Sequence, residues 1–207
     1  MKNKALTLLI IILILLFAFN KSYSQFGVQF SYIKPTSTMG YYFKPTLGAE
    51  IFYKFNEEDN KFVLGVSLGF YPLNTRLDTF TNYTVKISNG SNTLIPGYKI
   101  YSKYYVVSFG LTSEYKFLLT KLTPLVGLDL NANINSYDYK EKIETLLDKE
   151  SYNENSFDIA IIPRLGVRYE VNINWVISAG IGKSIGIVSE AGSLSYWKTY
   201  TNIIYFF

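Results

Sequence analysis

Residues 157–171 read FDIAIIPRLGVRYEV. The odd positions are Phe157, Ile159, Ile161, Pro163, Leu165, Val167, Tyr169 and Val171, apolar or aromatic throughout. The even positions carry Asp158, Arg164, Arg168 and Glu170 with Ala160 and Gly166, and Ile162 is their only large apolar residue. Side chains alternate faces along a strand, so a period of two over this length describes a two-faced β-strand and no helix. Ordinary strands run about five or six residues. An alternating strand of more than twice that length fits a barrel that crosses a membrane.

The rest of the chain repeats the pattern. Residues 25–33, 45–55, 62–71, 101–117, 124–139, 175–188 and 197–207 read as seven further strands. The connections alternate: long after the first, third, fifth and seventh strands, short after the second, fourth and sixth. Within the long connection 72–100, Asn89-Gly90 separates two β-prone runs and predicts a hairpin beyond the membrane. Residues 140–156 read as a charged loop, in which Ile143, Leu146 and Leu147 have the spacing of one or two helical turns. The expected fold is all-β: an eight-stranded antiparallel up-and-down transmembrane β-barrel, with short periplasmic turns, longer extracellular loops and both termini on the periplasmic side.

Residues 1–24 read as a signal peptide. Lys2 and Lys4 precede an apolar run, and Ser22 and Ser24 supply small residues before a cut at Gln25. The apolar run falls short of the roughly twenty residues a spanning helix needs. The domain expected to remain is 25–207. Losing Lys2, Lys4 and Lys21 takes the 20 basic residues to 17 against 16 acidic ones, a net charge of +1. That balance gives no support to nucleic-acid binding, which needs a clustered basic surface. The chain has no cysteine and no histidine. Disulfides, thiolate metal sites and His-assisted nucleophiles are excluded. Glu57, Glu58 and Asp59 sit in a tight turn and read as solvated charges. The sequence implies no cofactor, no metal and no catalytic residue.

The polar faces separate a membrane barrel from a soluble one. A water-facing exterior would be rich in Lys and Glu, whereas these faces are dominated by Gly, Ser, Asn and Thr, which suit a narrow interior. Aromatics gather near the strand ends, as expected of two girdles. By parity the inward charges are Glu50, Glu114, Asp129, Asp158 and Glu170 against Lys54, Lys116, Arg164, Arg168 and Lys198. Counting from the turns places Glu114 beside Asp129, with Arg168 as their bridging cation. The expected interior cluster is therefore Glu114, Asp129, Arg164 and Arg168, with a structural role in a plugged lumen. Two residues fit poorly: Lys183 falls on the lipid face, and Pro163 removes a ladder donor.

With these strands, loop lengths and the closing Tyr205 and Phe207, residues 25–207 resemble the small eight-stranded outer-membrane β-barrels of the OmpX and OmpA-barrel type. They also look like the PorT-like outer membrane protein beta-barrel group. Tyr205 and Phe207 are similar to the assembly signal read by the barrel-insertion machinery. Tyr200 stands where that signal has a glycine. The resemblance implies the outer membrane of a Gram-negative bacterium, with outer-membrane lipid as surroundings. It also implies a non-enzymatic role in adhesion, surface interaction or envelope structure, in which an extracellular protein is the partner. The alternatives are an accessory component of a protein-secretion machine and a narrow channel.

Overall fold

The computed structural model describes residues 25–55, 60–76, 79–88, 91–143, 150–189 and 195–206. The elements are β1 (Gln25–Pro35), α1 (Ser37–Tyr42), β2 (Thr46–Lys54), β3 (Phe62–Pro72), β4 (Thr79–Ser88), β5 (Ser91–Lys116), β6 (Leu122–Ile143), β7 (Glu150–Glu170), β8 (Trp175–Ser189) and β9 (Tyr196–Phe206). Residues 1–24, where a signal peptide was expected, Asn89 and Gly90, Glu57, Glu58, Asp59 and Phe207 lie outside the described residues.

Every strand pairs antiparallel with its neighbours. β1 pairs with both β2 and β9, which closes the sheet. β3 pairs directly with β5, so β4 stands outside the ring and is attached to β5. The result is a closed eight-stranded barrel with one extra strand. Local chemistry tightens the short turns. Asn172 Oδ1 accepts the backbone N–H groups of Asn174 and Trp175, each at 2.9 Å, a side-chain mimic of a backbone turn. In another, Thr123 Oγ1 donates to the carbonyl of Thr120 at 2.6 Å.

The wall is inverted relative to a soluble protein. Phe30, Leu47, Ile51, Leu68, Leu111, Leu130, Leu165, Ile177 and Ile203 are exposed on the outside, whereas Gln25, Glu50, Lys54, Asp129, Arg168 and Lys198 are buried within. Aromatic rings bound this belt. Tyr53–Phe55, Tyr115–Phe117 and Trp175–Tyr205 contacts lie at the short-turn end. Exposed Tyr32, Phe70, Tyr105, Phe157 and Trp197 lie at the other.

The long-loop end departs from expectation. Residues 140–143 and 150–156 are not loop but strand, continuing the β6–β7 ladder to Glu141↔Glu150. Residues 144–149, where helical turns were expected, lie outside the described residues. The 72–100 connection holds the expected hairpin, with Lys86 opposite Thr93. The 34–44 loop contains α1. At Pro163 the distortion is on the β8 side: Ile161 pairs with Ile185 and Arg164 with Gly182, with no pairing between them. A further one-residue register shift follows between Ile159 and Ala160.

Small residues inside the wall make room for large ones across it. A Cβ at Gly27 would stand 2.2 Å from Phe52 Cζ, and one at Gly48 would stand 2.0 Å from Tyr71 Cδ1. Overpacking of this kind costs about 1–3 kcal/mol. Gly27→Ala should therefore lower stability by that amount, and by clearly less in a Phe52→Leu background, where the opposing ring is gone. Denaturant unfolding of the four proteins in lipid checks the pairing.

Candidate functional site

Among the described residues, the lumen is the one place where many ionisable groups meet. Inward parity put ten charged residues there; nine of them are buried, and Glu170 is half-buried. Register then decides which touch. Glu114, Gly127, Arg164, Gly182 and Lys198 lie directly opposite one another across five adjacent strands, β5 to β9. Charge alternates with glycine along that row. A Cβ at Gly127 would lie 3.1 Å from Arg164 Nη2, and one at Gly182 would lie 3.1 Å from Arg164 Cγ. The glycines give the guanidinium its space.

Arg164 Nη2 contacts Asp129 Oδ1 at 2.8 Å and Glu114 Oε1 at 3.1 Å. Lys54 Nζ donates to Glu114 Oε2 at 2.6 Å. Higher in the barrel, Glu50 accepts from Gln29 Nε2, Tyr71 OH and Lys198 Nζ. Three carboxylates are thus balanced by Lys54, Arg164 and Lys198. Near the long-loop end, Asp158 is held by the amides of Asn133 and Asn135, at 2.6 and 2.8 Å. Members of these groups come from seven of the eight wall strands. The eighth, β8, supplies Gly180 and Gly182, beside Tyr200 and Arg164.

The cation that joins Glu114 to Asp129 is Arg164, and not Arg168 as the sequence count had it. A loop symmetric over residues 140–156 would set Asp129 opposite Val167. The true hairpin continues to Glu141↔Glu150 and sets Asp129 opposite Ile162. Arg168 instead faces Thr123, with its guanidinium carbon 5.3 Å from the centre of the Phe206 ring. Lys183 remains on the outer face, at the aromatic rim beside Trp197. Tyr205 packs on Trp175 at the short-turn rim. Tyr200, in place of a glycine, is buried with its hydroxyl in the space left by Gly166 and Gly180.

Apolar layers close the network at both ends. Phe52, Val176, Ile204 and Phe206 form one toward the short turns. Ile33, Phe43, Tyr71, Leu73, Val106, Ile162 and Tyr196 form the other. Phe43 comes from the connection after β1, bridges to Thr75 and packs 4.6 Å from Tyr104. The void left within the ionic network is about 10 Å³, room for about one water molecule. Among the described residues no group of three or more acidic side chains is arranged to hold a metal ion.

No protein-family model matches the chain, and no curated protein matches it in sequence. Solved structures do. Neisserial surface protein A is similar with a TM-score of 0.59 at 16% identity, over 89% of this chain and 96% of that one. A major outer membrane protein from Thermus thermophilus gives 0.54 at 11% identity, over 89% and 99%. The fold is that of the small eight-stranded outer-membrane β-barrels. Ail, the attachment invasion locus protein of Yersinia pestis, gives 0.46 at 16% identity, over 89% and 98%.

Removing one partner of a buried ion pair costs about 3–5 kcal/mol, because the other charge is left uncompensated. Arg164→Met should incur that loss by stranding Asp129, while Glu114 keeps Lys54. The double variant Arg164→Met/Asp129→Asn, which leaves Glu114 paired with Lys54, should lose less than Arg164→Met alone. Arg168→Met should leave the Glu114–Asp129 coupling intact. Double-mutant cycles from unfolding in lipid measure all three.

Proposed function

We propose that this protein is an outer-membrane barrel that works by surface display and not by conduction. It presents strand edges above the membrane to an extended segment of a partner protein. The observation that carries the reading is the unequal height of the wall. β5, β6 and β7 run 26, 22 and 21 residues, about twice β1 or β9 at 11. With β4 they make a four-stranded sheet rising beyond the ring. β8 ends at Ser189, opposite Asp158, so residues 150–157 of β7 pair on that side with no described strand. β4 likewise pairs only with β5 among the described residues. Free strand edges carry rows of backbone donors and acceptors that add an extended peptide readily.

The apolar belt between two aromatic rings supports residence in a bilayer. The fold shared with outer-membrane proteins supports the outer membrane as its site. The filled lumen speaks against a channel. On this reading Tyr205 and Phe207 serve recognition by the insertion machinery. The partner is an extracellular protein, or a subunit of a secretion machine that reaches the same face.

Leu165 is 61% exposed on the outer wall. Leu165→Arg should cost about 2–4 kcal/mol near a bilayer midplane, whereas Ser178→Thr in the lumen should be mild. Equal effects in lipid would overturn the face assignment. The unboiled protein should migrate differently from the boiled one on a detergent gel.

Planar-bilayer recording should show no steady, large conductance. Deleting residues 138–141 with their partners 150–153 shortens the raised sheet without changing which face any side chain takes. That variant should still insert but should lose the partner captured by mild crosslinking on intact cells. Retained capture would remove the raised sheet from the function.

A further inference from the structure

On the outer barrel wall, up to and including the aromatic ring at the long-loop end, only two charged side chains point outward among the described residues: Lys34 and Lys183. They are not scattered. Lys34 of β1 lies opposite Trp197 of β9, and Trp197 lies opposite Lys183 of β8. Lys, Trp and Lys therefore occupy one row across three strands. Strands lie about 4.8 Å apart, so the two lysine backbones stand about 10 Å apart with the indole between them. In the row beneath stand Leu47, Tyr32, Thr199 and Ile181, all exposed.

The Lys183 side chain is held toward β1. Lys183 Nζ lies 5.3 Å from the centre of the Trp197 ring and donates to Thr36 Oγ1 at 2.5 Å. Thr36 is two residues beyond Lys34 and on the same face. Its hydroxyl is 3.0 Å from the carbonyl of Ser195 and donates to it, which leaves Oγ1 free to accept from Lys183. Lys183 thus leans across β9 toward β1 and brings its charge to the side where Lys34 projects. Neither lysine has a carboxylate partner among the described residues. Two cations in one row of an apolar wall, without a counter-ion, leave that row with two unbalanced charges. An anion seated between the two strands neutralises them.

We propose that Lys34, Lys183, Thr36 and Trp197 form a binding site for the phosphate of a membrane-lipid headgroup in the leaflet at the long-loop end. The inference rests on the reading that the wall faces a bilayer. The lysines engage the phosphate, Thr36 fixes the direction of Lys183 by accepting from it, the indole packs on the glycerol or sugar beneath, and the acyl chains lie on the row of Tyr32, Leu47 and Ile181. The height of the row is what makes a lipid the ligand. It stands at the upper aromatic ring, where headgroups meet the apolar belt. A basic residue at an anionic membrane surface contributes about 1 kcal/mol, or about fivefold in affinity.

The test uses Trp197 as its own reporter. The chain has two tryptophans, and Trp175→Phe leaves Trp197 alone. The full barrel is placed in phosphatidylcholine bilayers in which either a minor fraction of phosphatidic acid or an equal fraction of phosphatidylcholine carries brominated, quenching chains. Phosphatidic acid should be preferred at Trp197 by about 25-fold, two lysines at about fivefold each. Lys34→Gln and Lys183→Gln should each remove about fivefold, and the double variant should abolish the preference. Lys121→Gln, at the opposite rim beside Tyr169, should change nothing. Equal quenching by the two lipids in a correctly inserted wild type would overturn the site. Loss of the preference on adding inorganic phosphate would overturn a lipid as its ligand. Absence of quenching by either lipid would instead sink the bilayer reading itself.

Discussion

Closing eight strands into a ring leaves an interior only as wide as the side chains that fill it. Everything inside this protein follows from that constraint. No inward residue has water to retreat to, so each large side chain needs a small one across the wall. Gly48 accommodates Tyr71, Gly180 accommodates Tyr200, and Gly127 and Gly182 flank Arg164. Each buried charge likewise needs a partner, and Arg164 meets Glu114 and Asp129 while Lys54 completes Glu114.

Buried ion pairs are seldom a source of net stability, because desolvation consumes the Coulombic gain. Their effect here is on register. The outer wall is apolar nearly everywhere, so a strand that slipped by two residues would keep the same faces and lose little outside. Inside, the same slip would part Arg164 from Glu114 and Asp129 and drive Phe52 off Gly27. The lumen therefore distinguishes arrangements that the belt cannot. The two apolar layers add to this by shielding the network from water at both mouths, which strengthens every pairing within it.

The two outward lysines obey the opposite logic. A charge on the wall is costly at mid-height and nearly free at the rim. Lys34 and Lys183 share the row of Trp197 at the long-loop ring, and Thr36 and Trp197 hold Lys183 in a fixed direction. The paired strands β4 to β7 continue past the long-loop ring.

Alternation by itself determined the strands, their faces, the even count and which charges turn inward, because a side chain's face depends only on its parity along the strand. It also showed Lys183 to be out of place and Pro163 to be disruptive. It could not determine contacts. Which inward charge meets which depends on register, and register depends on where each hairpin turns. The charged stretch 140–156 hides that point, since its residues suit a solvated loop and a solvated strand equally. Its continuation as strand to Glu141↔Glu150 moved the bridging cation from Arg168 to Arg164. The alignment of Lys34, Trp197 and Lys183 was equally hidden, because it joins the first strand to the last two. Only closure of the ring brings the first and last strands side by side.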